Sequence, residues 1–135
     1  MEEVWLFGNR LEIHLTGEDT GGSHTFIVDH PPPAFRLMPH RHRDHDETIH
    51  VVEGTYELVL EGRTRKLGPG DTVHVPRGSA RDIRNTGETA GKRVLVFTPG
   101  GLERFFLAAG TRDPDASRPP EELLALCAEV GWELL

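Results

Sequence analysis

The first hundred residues read as short strands separated by turns. Arg10–Leu15 is the clearest case, with Leu11, Ile13 and Leu15 on one face and Glu12 and His14 on the other. That period of two marks a half-buried β-strand. Val4–Phe7, Thr25–Val28, Phe35–Met38, Thr48–Val52, Tyr56–Leu60, Arg65–Leu67, Thr72–Val75, Ala80–Arg84 and Arg93–Phe97 follow as further strands. Between them lie Glu18–Gly22, Pro31-Pro32-Pro33, Glu53-Gly54, Glu61-Gly62, Gly68-Pro69-Gly70, Arg77-Gly78 and Asn85-Thr86-Gly87. These supply the fixed or left-handed φ angles that tight turns need. Many short strands at close spacing predict an antiparallel sandwich or barrel.

The pattern then changes period. Leu102, Phe105, Phe106 and Ala109 form one helical stripe. A polar, proline-rich linker, Thr111–Pro120, leads to a final helix that Ser117 can start, with Pro119 and Pro120 in its first turn and Glu121 and Glu122 near its positive end. Leu123, Leu124, Leu126, Cys127 and Val130 are its apolar stripe, and Gly131 its stop. Trp132, Leu134 and Leu135 are expected to pack this tail on the barrel or on a partner subunit. The chain thus divides into a β-barrel at 1–110 and a linker with a C-terminal helix at 111–135.

A length of 135 residues suits one domain. The net charge of −7 disfavours nucleic-acid binding and docking on anionic lipid, since both call for a basic face. No apolar run is long enough to span a bilayer as a helix. The opening MEEVWLF lacks the basic start of a signal peptide. A single cysteine, Cys127, rules out an internal disulfide, and a cytoplasmic setting is the expectation. Cys127 itself reads as a small core residue of the helical stripe.

The chemistry concentrates in His40-Arg41-His42-Arg43-Asp44-His45-Asp46-Glu47. Residues two apart on a strand share a face, so His40 and His42 can point together into a barrel. Glu47 can return across a short loop. Two imidazoles and a carboxylate make a facial set for a divalent metal such as Fe, Mn, Ni or Zn. Arg41 and Arg43 alternate with the histidines and should face solvent.

At these residues the chain resembles the cupin superfamily. His40-x-His42, Glu47 and Gly54 follow the spacing of the first cupin motif, here 34–54, with Ala34 where a Gly usually stands. Residues 70–85 follow the second, from Gly70 through Pro76-Arg77-Gly78 to Asn85. The region after them is similar to small one-domain cupins described as quercetin-dioxygenase-like. The resemblance implies an all-β jelly-roll barrel (a double-stranded β-helix) with a short C-terminal helical tail, a small-molecule ligand and a homodimer. One position departs: Arg81 stands where the second motif carries the fourth metal ligand.

Arginine cannot ligate a metal, because its guanidinium stays protonated and offers only donors. Two readings follow. A metal persists on His40, His42 and Glu47, with Arg81 displaced or contacting an anionic substrate. Otherwise the metal is gone and Arg81 pairs with Glu47. His74, in the strand before Pro76, is a candidate fourth ligand if it turns inward, against a wall or surface role. His45 is expected at the solvated rim, and His50 on the face opposite Glu47. His14, His24 and His30 carry no partner pattern. The functional expectations are a metal-dependent, dioxygenase-like enzyme with Arg81 as a catalytic residue, or a metal-free cupin that binds or senses a small anion through Arg81.

Overall fold

The alternating segments become strands, half of them a residue or two longer than the pattern alone defines and two of them, Arg36–His42 and Asp46–Glu53, three longer. The computed structural model describes residues 1–135. In chain order the strands are β1 (Glu2–Leu6), β2 (Asn9–Leu15), β3 (Thr25–His30), β4 (Arg36–His42), β5 (Asp46–Glu53), β6 (Tyr56–Leu60), β7 (Arg63–Leu67), β8 (Thr72–Val75), β9 (Arg81–Asn85) and β10 (Lys92–Thr98). Helices α1 (Glu103–Ala109) and α2 (Pro120–Glu129) and a last strand, β11 (Trp132–Leu134), complete the chain. A six-stranded antiparallel sheet runs β1-β2-β3-β10-β5-β8, and a five-stranded one runs β11-β4-β9-β6-β7. Facing each other, they form the expected jelly roll. No helix is long and apolar enough to cross a membrane.

The inward residues of both sheets make one core. Ile27, Ile49, Val51, Leu58 and Val75 lie almost wholly out of water, and Leu102, Phe105, Phe106 and Ala109 of the α1 segment join them. The α1 stripe is therefore the lid of one barrel end.

Strand β4 is where sequence and geometry meet most closely. Its pairing with β9 shifts register between Leu37 and His40. Pro39 sits in that shift, and a proline has no N–H for the ladder. Beyond it the burial alternates, with His40 and His42 inward and Arg41 outward. Just before the strand, Ala34 holds a φ of +64°. This left-handed conformation costs an L-residue roughly 1–2 kcal/mol, which explains why glycine suits the position.

The C-terminal tail departs from expectation. Helix α2 begins at Pro120, with Pro119 extended at its N-cap and no side-chain cap, rather than at Ser117. Arg118 precedes a proline, and pre-proline residues avoid the helical region. No α2 residue is fully buried, and Leu124 is 54% exposed. Leu123, Leu126, Cys127 and Val130 pack partly against the core. Gly131 turns the chain at φ +71°. The next three residues then add a strand to the sheet edge, with Trp132 opposite His42 and Leu134 opposite His40. Trp132 is buried, whereas Leu134 and Leu135 stay exposed. Three residues are too few to display a strand period.

Candidate functional site

His40, His42 and Glu47, expected to converge at the barrel centre, lie together there, and Arg81, whose place the sequence left open, lies with them. His40 and His42 are each 2% exposed, Arg81 3% and Glu47 7%. The two imidazoles come from alternate positions of β4 and lie edge to face, 5.1 Å between ring centres. His40 Nδ1 is 2.8 Å from the Met38 carbonyl oxygen. A carbonyl only accepts, so Nδ1 carries the proton and Nε2 is left with a free lone pair. Burial lowers the His40 pKa to about 4. Burial, then the nearby Arg81, holds His42 well below the ordinary histidine range. Both rings are neutral at pH 7. His42 Nδ1 has no hydrogen-bond partner.

Glu47 and Arg81 are joined to each other. Arg81 Nη1 donates to Glu47 Oε1 at 3.0 Å. Arg81 Nε and Nη2 donate to the Ser79 carbonyl oxygen at 3.3 and 3.2 Å. Glu47 belongs to the six-stranded sheet and Arg81 to the five-stranded one, so the pair bridges the barrel. Burial pushes the Glu47 pKa up and the Arg81 pKa down. In both cases it works against the attraction within the pair.

A second buried pair, not visible in the sequence, stands beside the first. Arg93 grips Asp29 through two bonds, Nε to Oδ1 at 3.0 Å and Nη2 to Oδ2 at 2.5 Å. Asn9 Nδ2 adds a third bond to Asp29 Oδ2 at 2.9 Å. The guanidinium also lies over the Tyr56 ring at 5.4 Å. Both pairs, both histidines and Trp132 line a cavity of about 40 Å³. That space suits roughly one to three waters and no organic molecule of ordinary size.

Trp132 closes this chamber. Its ring stacks on His40 at 4.8 Å and 21°, and meets the edge of His42 at 4.6 Å and 76°. Phe105 of α1 backs it at 4.7 Å, and Phe97 flanks His42 at 5.7 Å.

The donors do not fit a metal in this arrangement. No group of three or more His, Cys, Asp or Glu side chains stands close enough together to hold one, and the carboxylate the set needs accepts from Arg81 instead. His74 is not part of the chamber. It is exposed on the outer face opposite Thr48, whose hydroxyl lies 3.3 Å from its Nδ1. Inward residues of β8 are Val73 and Val75, so the strand alternation leaves His74 no path inward. His50 also faces out, bonded to the Thr72 hydroxyl at 2.7 Å. His45 is a correction in the other direction. Expected at the solvated rim, it is 9% exposed, with an unpartnered Nδ1.

His14 and His30 both contact the Glu12 carboxylate, and His24 contacts Ser23. Arg41 and Arg43 face out, beside Glu133 and Asp44. Glu103, the first residue of α1, is a buried acceptor. It takes bonds from the Thr25 hydroxyl and from the backbone N–H groups of Gly17 and Gly101, and so ties α1 to the barrel.

Comparison with known proteins adds the lineage. The family described as Cupin domain matches residues 26–98. Quercetin 2,3-dioxygenase of Bacillus subtilis is 31% identical over 106 residues, covering 78% of this chain and 31% of that enzyme. A protein of Aquifex aeolicus is 40% identical over 62 residues, covering 46% of this chain and 50% of that one. The chain thus spans about a third and a half of these two relatives' lengths. Among solved structures, KdgF from Halomonas sp. superposes with a TM-score of 0.64 at 24% identity, covering 72% of this chain and 84% of that chain. That likeness concerns the fold alone.

Proposed function

The chain belongs to the cupin domain family, and from that premise we propose that it is a small-molecule-binding cupin whose central positive charge is Arg81 rather than a resident divalent metal. The observation that carries this reading is the buried Glu47–Arg81 pair at 3.0 Å. The chamber holds two carboxylates, two guanidiniums and two neutral imidazoles, so its charges already sum to zero. A divalent ion and a unit cation about 5 Å apart repel by roughly 7 kcal/mol at an effective dielectric near 20. Arg81 thus takes the place of the cation that Glu47 would otherwise serve.

Arg81 is also poor as a ready anchor for an anion. Its Nη1 is bonded to Glu47, and its Nε and Nη2 to Ser79. An anionic ligand would have to compete with an internal carboxylate. An uncharged ligand meets no such competitor.

A second reading is a metal-dependent, dioxygenase-like enzyme. The protonated Nδ1 of His40, which frees Nε2, and the unpartnered Nδ1 of His42 favour it. It requires Arg81 to release Glu47. Elemental analysis of untagged protein, after incubation with Fe, Mn, Ni and Zn and desalting, separates the two. The metal-free reading expects well under one equivalent of any metal. One equivalent in wild type, lost in His40→Ala, would establish the second reading instead.

A further inference from the structure

The central chamber shares four lining residues, Phe7, Leu37, His40 and Trp132, with the outer groove between α2 and the β4–β11 edge. These four stand between the chamber and solvent on that side of the barrel. They differ in their freedom to move. His40 is 2% exposed and Trp132 8%, and Trp132 is held by His40, His42 and Phe105. Leu37 packs against the core. Phe7 is 53% exposed. Trp132 is thus the fixed part of this closure and Phe7 the loose part.

Phe7 also has an unusual backbone. Leu6 and Asn9 are paired, so Phe7 and Gly8 alone make the β1–β2 turn. Both hold positive φ, +53° and +77°. Two-residue turns of this kind favour Asn-Gly, because a β-carbon in the left-handed region crowds its own backbone. A bulky side chain there is an outlier. Phe7 bears that strain without the burial that would offset it. Such strain clusters where a side chain has a task beyond packing. The base of the turn is firmly held. Asn9 Nδ2 donates to Asp29, and Asn9 Oδ1 accepts from the His30 backbone N–H at 3.0 Å. The part free to move is therefore the Phe7 ring and not the hairpin.

We propose that the Phe7 side chain is the gate of the central chamber. In the structure its ring borders a space of about 40 Å³. Rotation to another staggered position takes the ring into solvent and opens the way to His40. Exposed side chains change rotamer within nanoseconds, so the gate works without movement of a strand. The proposal rests on the reading that the barrel serves a small molecule, and it adds how that molecule reaches the centre.

The test uses diethyl pyrocarbonate, an uncharged reagent that acylates neutral imidazoles, on the full chain at pH 7 with a chelator present. Peptide mass spectrometry reads the rate at His40, whose Nε2 lone pair is free because Nδ1 carries the proton toward Met38. Exposed His74 is the internal reference. In wild type His40 should react at least tenfold more slowly than His74. Phe7→Ala removes the ring, and Phe7→Asn also relieves the turn. Each should raise the His40 rate at least fivefold and leave His74 unchanged. Phe7→Asn should melt no lower than wild type, which separates an opened gate from a loosened fold. Leu124→Ala, at a residue that lines the groove but not the chamber, should leave the His40 rate unchanged. His40 as reactive as His74 in wild type, an unchanged rate in Phe7→Asn, or an equal rise in Leu124→Ala overturns the proposal. So does a rise in Phe7→Asn that comes with a lower melting temperature. A wrong reading of the central charge would appear as bound metal in wild type with the labelling pattern intact. A wrong reading of the gate would appear in the labelling with metal content unchanged.

Discussion

Two buried ion pairs stand side by side in this barrel, and they are built differently. Asp29 and Arg93 are direct cross-strand partners on β3 and β10. Two bonds join them, Asn9 adds a third, and Tyr56 covers the guanidinium. Glu47 and Arg81 reach across from different sheets and share one bond, with the remaining arginine donors on a backbone carbonyl. The first is a fork-on-fork contact that fixes geometry. The second is a single-bond contact beside two neutral imidazoles, and both pairs face the chamber. Burial alone therefore does not distinguish a structural pair from a functional one. The number of bonds and the neighbours do.

The contrast can be broken from either side. Replacing Arg93 with Met strands Asp29 without a counter-charge, and removal of one partner of a buried pair typically costs about 3–5 kcal/mol. Urea unfolding of Arg93→Met should show a loss of that size, with much of the protein unfolded at 37 °C.

Acid should act on the other pole. The folded pKa of His40 is about 4, against an ordinary value of 6.5. Between those values the unfolded chain binds protons that the folded chain refuses, so stability falls as pH drops through that window. At about 1.4 kcal/mol per unit, His40 alone accounts for roughly 3 kcal/mol between pH 7 and 4, and His42 acts in the same direction. Denaturant midpoints measured across that range should fall with acidity. His40→Gln should flatten the slope.

Arg81→Met should be milder than Arg93→Met. Its stranded partner, Glu47, loses one bond where Asp29 loses two, so a cost of about 1–3 kcal/mol is expected, in the range of a single unsatisfied group. Smallest of all should be the double change Glu47→Gln with Arg81→Met. Exchange of both members of a buried pair for uncharged groups is often neutral or stabilising. A double-mutant cycle by urea unfolding checks both. Equal costs for Arg81→Met and Arg93→Met would erase the distinction between the pairs.

Much of this was legible in the sequence. Strand alternation on β2 and the α1 stripe each follow a single period set by burial, the spacing from His40 to Gly54 was read through its resemblance to the first cupin motif, and the strands and helix appear in the fold. The resemblance to the cupin motifs implied that His40, His42 and Glu47 converge, and it left the place of Arg81 open between a displaced position and a pair with Glu47. Asp29–Arg93 did not, because its members lie 64 residues apart on strands whose order the sequence does not state. Trp132 was expected to pack, but its seat on both histidines depends on β11. A three-residue strand carries no readable period. His45 misled because charged neighbours, Asp44 and Asp46, made a solvated loop the natural expectation. Its side chain is buried instead.

The central claim is that the Arg81 guanidinium stands where a metal would need the Glu47 carboxylate. Its most direct test is a calorimetric titration of Arg81→His with Ni(II), run beside wild type in the same buffer. One site of at least micromolar affinity in Arg81→His, abolished by a second change of Glu47→Gln, with no saturable site in wild type, is the expected result. Stoichiometric binding to wild type that His42→Ala removes would contradict it.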